Sequence, residues 1–143
     1  MDDLIKQAEK YLLKRYIKPM HTVAAALETT AGNVYVGINI DHFSGFVCAE
    51  MSALVMAMNA GETTFHRIAA VRKEPDGTTA VANACGKCRQ ILHDYAPRIQ
   101  IAVSDDNGVM MKSAEELLPY SFKRQRQKIQ DALLDEHTKG VVG

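Results

Sequence analysis

The chain has 143 residues, 47% of them hydrophobic and 24% charged, a composition and length that suit one soluble domain spanning residues 1–143 with a core buried without disulfides. Seventeen basic residues balance 17 acidic ones, so no overall field points to nucleic acid or an anionic membrane, and no apolar stretch is long enough to span a bilayer. The N-terminus MDDLIKQAEK lacks a signal-peptide pattern and the three cysteines are an odd number, so the expected compartment is the reducing cytoplasm, where thiols serve metals or chemistry.

Residues 3–17 carry Leu4, Ile5, Ala8, Tyr11, Leu12 and Tyr16 at helical spacing, with Asp2 and Asp3 at the positive end. Thr22–Glu28 and Val34–Ile40 read as strands of a hairpin closed by residues 29–33. A helix is expected from about Cys48 to Ala60, stopped by Gly61. Arg67–Arg72 is a short strand, followed by a turn-rich stretch over Lys73–Thr79. Gly86–Tyr95 reads as a second helix, and Ile99–Val103 and Val109–Lys112 as strands around an Asn-Gly turn. Ser113-Ala114-Glu115-Glu116 is a capping box that opens a helical turn, and Lys123–His137 can form a last helix. Strands alternating with helices predict a mixed sheet covered by helices on both faces.

The cysteines stand as Cys48-Ala49-Glu50 and Cys85-Gly86-Lys87-Cys88. A C-x-x-C pair plus one distant Cys can close three corners of a zinc tetrahedron, which leaves the fourth open. Glu50, two positions after Cys48, can take a proton from a water at that corner, so the pattern describes a hydrolytic zinc site. Both metal segments are expected at helix starts, whose partial positive charge offsets the formal charge of about −1 on zinc with three thiolates. Lys87 and Arg89 flank Cys88 and could hydrogen-bond the sulfurs. The alternatives are a structural knuckle, with His21, His42, His66, His93 or His137 as fourth ligand, and a metal-free redox pair. The knuckle histidines lack finger-like spacing, and the redox pair leaves Glu50 and Cys48 without a role.

Cys48-Ala49-Glu50 with Ala84-Cys85-Gly86-Lys87-Cys88-Arg89-Gln90 resembles the signature of the cytidine deaminase family, including blasticidin S deaminases, and the resemblance runs from about His21 to Phe122. It implies a three-layer α/β/α fold with a mixed five-stranded sheet. It also implies that Cys48, Cys85 and Cys88 hold Zn2+, and that water activated by the metal attacks C4 of a cytosine-type ring. Glu50 would protonate N3 and the departing amine, so that ammonia leaves. The Ala49 N–H and the Ala84 carbonyl would contact the pyrimidine. Asn39 and Asp41 look like the family's pair for the ribose hydroxyls, since alternate strand positions share a face. Leu117-Leu118-Pro119-Tyr120-Ser121-Phe122 resembles a family segment whose aromatic reaches a neighbouring subunit's site, so Phe122 would pack on the base in a homotetramer or homodimer.

Departures bear on the substrate. His21 stands where cytidine deaminases have Phe, and its imidazole could stack on the base or donate to it. Met51 and Lys87, and the short stretch from Asn39 to Cys48, look more like the blasticidin branch. Ala84 replaces a usual proline and loosens the turn into Cys85. Deamination of cytidine or deoxycytidine, within pyrimidine salvage, is therefore the first expectation. Blasticidin S or another modified cytosine or isocytosine compound is the second, and a zinc-stabilised binding protein with little turnover the third. The basic run Lys123–Lys128 is followed at once by acidic residues and reads as a solvated helix face rather than an RNA contact, while Ile129 and Leu133 suggest a docking face.

Overall fold

The computed structural model describes residues 1–142, so Gly143 of the expected domain lies outside it. Helix α1 (Asp2–Arg15) buries Leu4, Ala8 and Leu12, spaced four apart, and places Asp2 and Asp3 in its first turn and Lys14 and Arg15 in its last, as the helix dipole favours. Strands β1 (Val23–Thr29) and β2 (Val34–Ile38) form the expected antiparallel hairpin. β2 stops two residues early because the Asn39 side chain turns back: its Oδ1 accepts from the N–H groups of Thr22 (2.7 Å) and Val23 (3.0 Å). The chain then makes a small separate ribbon, β3 (Ile40–His42) paired with β4 (Gly45–Val47), where the sequence suggested only a short connection.

Helix α2 (Ala49–Asn59) follows and ends at Gly61, which adopts φ 90°. β5 (Phe65–Lys73) is longer than expected, and the turn-rich stretch after it delivers a short extra strand, β6 (Thr79–Val81), back onto β5. Helix α3 (Gly86–Tyr95) has the expected bounds, and β7 (Gln100–Asp105) and β8 (Gly108–Ser113) form the second hairpin. Ser113 caps α4 (Ala114–Leu117) reciprocally: its Oγ accepts from Glu116 N–H at 3.1 Å, and Glu116 Oε1 accepts from Ser113 N–H at 3.0 Å. α5 (Arg126–Val142) completes the described chain.

The main sheet runs β2-β1-β5-β7-β8 with β6 beside β5. The β5–β7 pair is parallel and the others along the path are antiparallel, which is the mixed five-stranded order with one short addition. Period-two alternation along β1 splits the core. Ala24 and Ala26 face α1 together with Ala69, Val71 and Ala102, while Ala25 and Leu27 face α2 and α3 together with Ile68, Ala70 and Ile101. The result is three layers, α/β/α. α2 lies close on the sheet because Gly37 has no side chain: a Cβ there would stand 2.4 Å from Ala53 N and 2.8 Å from the Ser52 carbonyl carbon. That approach fixes where α2, and the cysteine at its head, can sit.

On α5, Ile129, Gln130 and Leu133 are half-buried. Gln130 Nε2 donates to the carbonyls of Asp94 (2.6 Å) and Tyr95 (2.8 Å), which closes the C-terminal end of α3. Lys123, Arg124 and Lys128 are exposed, and Arg126 pairs with Glu115 at 3.3 Å. No described helix is long and apolar enough to cross a membrane.

Candidate active site

Cys48 and Cys85 are the N-cap residues of α2 and α3, and neither uses its sulfur to cap the helix. Serine, threonine or aspartate normally fills that position to satisfy the first N–H groups. Cysteine there leaves the sulfur free, next to the positive end of a helix dipole that favours the thiolate. Cys88, in the first turn of α3, is fully buried and completes the group.

The three Sγ atoms lie within 4.8 Å of one another, with Cys48 and Cys85 at 3.7 Å. Zinc–sulfur bonds of about 2.3 Å in a tetrahedron require sulfur–sulfur edges of about 3.8 Å. The donor set and its spacing therefore fit zinc. Among the described residues no histidine or carboxylate joins the group, so three protein ligands converge and the knuckle's fourth is missing.

The thiols respond differently to this setting. Burial pushes the Cys48 thiol up, as do the neighbouring Cys85 and Glu50. Burial also pushes Cys88 far up, with the Glu50 charge adding to it. At Cys85 burial acts in the same direction, but the N–H groups of Cys88 and Lys87 and the other thiols outweigh it and hold this thiol below its usual value. A metal must displace protons from the two raised thiols, so affinity falls in acid. Glu50 is 6% exposed, and burial raises its carboxyl above the usual range.

A cavity of about 320 Å3 opens over this group. Cys48, Cys85, Glu50, Ala49, Asn39 and Asp41 line it, so four elements or their ends bring together half of the site residues singled out in the sequence. Val23, Ile40, Phe46 and Val47 supply apolar lining, and Ala82 and Asn83 complete it. Asp41 and Glu50 are the charged groups of the lining, and no basic side chain is among them.

Other expected residues stand elsewhere. His21 is outside the lining, its Nδ1 bonded to the Asn39 carbonyl at 2.8 Å. Ala84 is buried beside the lining, and its carbonyl accepts from Arg89 Nε at 2.9 Å. Arg89 thus holds the turn into Cys85 instead of a sulfur, which offsets the missing proline. Lys87 Nζ lies 5.4 Å from the centroid of the Phe46 ring. Phe122 is 74% exposed, with its carbonyl accepting from Gln90 Nε2 at 3.0 Å. Phe46 and Asn83 were not anticipated. Asn83 grips β7 through both amide ends, accepting from Ser104 N–H at 2.8 Å and donating to Ser104 O at 3.0 Å, a loop-to-strand contact that leaves no sequence pattern. Its only signal was its place two residues before Cys85. A second cavity, about 470 Å3, lies under α5 and contains neither a cysteine nor Glu50.

Comparison with known proteins agrees with this geometry. Residues 1–103 match the family model described as the cytidine and deoxycytidylate deaminase zinc-binding region. The Blasticidin-S deaminase of Bacillus cereus is 30% identical over 128 residues, 85% of this chain and 91% of that protein. The crystal structure of cytidine deaminase from Burkholderia pseudomallei superposes with a TM-score of 0.71 at 30% identity, covering 85% of this chain and 98% of that one. That of the cytidine deaminase from Bacillus anthracis, at 22% identity and a TM-score of 0.72, covers 94% and 96% and shares the fold. The chain belongs to the cytidine and deoxycytidylate deaminase family of zinc-dependent hydrolases.

Proposed function

We propose that this chain deaminates a cytosine-type nucleoside to its uracil form, with cytidine and deoxycytidine as first substrates. The observation that carries the reading is a buried carboxyl, Glu50, in one cavity with two of three converging thiols and with Asn39 and Asp41. A volume of about 320 Å3 is in the range of small-molecule sites. The lining has carboxylates and no basic group, which suits an uncharged nucleoside better than its 5′-phosphate.

In this reading Cys48, Cys85 and Cys88 hold zinc as thiolates. When bound, the ion supplies the Lewis acidity that makes a water nucleophilic near neutral pH. Glu50 takes a proton from the attacking water, delivers it to N3 of the ring, and serves again as the amine at C4 departs as ammonia. Burial helps, because a raised carboxyl lies closer in proton affinity to the groups it serves. The Ala49 N–H is the first of α2, has no backbone acceptor, and is free to donate to the pyrimidine. The Ala84 carbonyl keeps a second lone pair beyond its Arg89 bond and can accept. Asp41 accepts from the sugar hydroxyls. Asn39, with Oδ1 committed to Thr22 and Val23 and one Nδ2 hydrogen donated to Thr22 Oγ1 at 3.3 Å, offers its second Nδ2 hydrogen.

Val55, Met56, Tyr120 and Phe122 expose large apolar area, which supports assembly into a homodimer or homotetramer in the cytoplasm, with Phe122, and His21 beside the site, completing the base pocket across subunits. A second substrate reading, a blasticidin-type cytosine compound, is supported by the Bacillus cereus relative.

A panel of cytidine, deoxycytidine, deoxycytidine 5′-phosphate, blasticidin S and isocytosine, followed by ammonia release, decides. Turnover of the nucleosides well above the phosphate is expected. Bound zinc with no ammonia from any compound would overturn the reading in favour of a binding protein.

A further inference from the structure

The β3–β4 ribbon cannot hold itself in place. Each strand has three residues and all are exposed, and an isolated two-stranded ribbon is marginal in water. Yet it carries Asp41 and Phe46 into the cavity, where they stand directly opposite each other in the ladder. The first strand is tied to the body by the Asp41 N–H, which donates to the Met20 carbonyl at 3.0 Å. The second strand meets Lys87, whose ammonium stands 5.4 Å from the centre of the Phe46 ring, within cation–π range. Lys87 sits in the first turn of α3, between Cys85 and Cys88, and its ammonium lies over the Phe46 ring.

We propose that Lys87 is a positioning residue that latches the ribbon over the cavity through Phe46 and thereby sets Asp41 against the sugar of the substrate. Opposed residues of a ladder share a face and lie about 5 Å apart, so loss of the Phe46 anchor moves Asp41. Glu50 and the three cysteines sit on or at the heads of α2 and α3 and keep their places. The latch therefore governs substrate binding, not the chemistry at C4. The substrate named here rests on the nucleoside reading above; the contact itself does not.

The test compares Lys87→Met and Lys87→Arg, each alone and combined with Phe46→Trp. The chain has no tryptophan, so the indole at position 46 reports alone. An exposed cation–π contact is worth ~0.5–1 kcal/mol, so Lys87→Met should raise KM for cytidine roughly 2- to 5-fold. Its kcat and bound zinc should match the parent, and Lys87→Arg should restore KM. Acrylamide should quench the indole more strongly in the Lys87→Met background than with Lys87 or Arg. Equal quenching in all three backgrounds, or a fall in kcat or zinc content with KM unchanged, would overturn the latch and put the Lys87 charge on the sulfurs. A parent enzyme that deaminates no cytosine compound would sink the nucleoside reading alone, since the quenching comparison still decides the latch.

Discussion

The role proposed for Glu50 depends on where α2 begins. The residue follows the N-cap Cys48 by two residues, which turns its carboxyl into the cavity beside the sulfurs, and burial then raises its proton affinity. Glu50→Gln keeps the shape and loses the titrating group. It should retain zinc, measured by metal analysis, while kcat falls at least ~10²- to 10⁴-fold, the usual worth of acid–base catalysis. Near-normal turnover in that variant would take Glu50 out of the mechanism. Asp41, which lines the same cavity, has a proposed role in binding instead. Asp41→Ala should raise KM for cytidine roughly tenfold or more, since a hydrogen bond to a charged group contributes about 1.5–3 kcal/mol. Inhibition by free cytosine should change little, and an equal loss for base and nucleoside would argue against sugar recognition. At this scale the sequence was clearest where chemistry is scarce. Three cysteines and one adjacent carboxylate have few ways to combine, whereas Phe46 and Asn83 act through partners at positions 87 and 104 that no local pattern reveals.

Elements with a full period were legible, and short ones were not. α3 falls at its expected bounds because Leu92 and the flanking Ile91 and Tyr95 repeat with helical spacing and Ala96-Pro97 ends the run. β3, β4 and β6 have three residues each, too few for alternation to register, and β6 follows a Pro-Asp-Gly turn that masks it. Packing between elements is tightest at Gly37. Gly37→Ala forces Cβ into the backbone of α2 and should cost about 1–3 kcal/mol, measured by denaturant midpoint, with weaker zinc binding because Cys48 moves with the helix. An unchanged midpoint would mean that α2 does not approach the sheet this closely. Between β1 and β5, Arg67 donates to both carboxylate oxygens of Glu28, at 3.1 and 2.8 Å, each side chain being 18% exposed. The Arg67 bond holds the Glu28 carboxyl below its ordinary value. A depressed acid stabilises the fold above its unfolded pKa, ~4.3, and that contribution disappears as pH falls through the lower folded value. Replacing both partners by a Gln–Met pair should therefore flatten the loss of Tm below about pH 4.3 relative to the parent. An identical acid slope would show that the pair contributes nothing there.

For the molecule as a whole, alternating strands and helices announced a mixed sheet covered on both sides, and the separation of Ala24 and Ala26 from Ala25 and Leu27 is what gives each layer its own core. What could not be inferred from the chain is how α2 and α3, 37 positions apart at their N-caps, bring Cys48 and Cys85 to 3.7 Å; that follows from both helices packing on one sheet face. In the proposed mechanism the fold holds that convergence with one corner open. X-ray absorption at the zinc edge of the zinc-loaded protein measures it most directly. One zinc per chain with three sulfurs at about 2.3 Å and a single oxygen neighbour supplied by water is the result expected. A shell containing a histidine, four protein ligands, or fewer than three sulfurs would contradict the account.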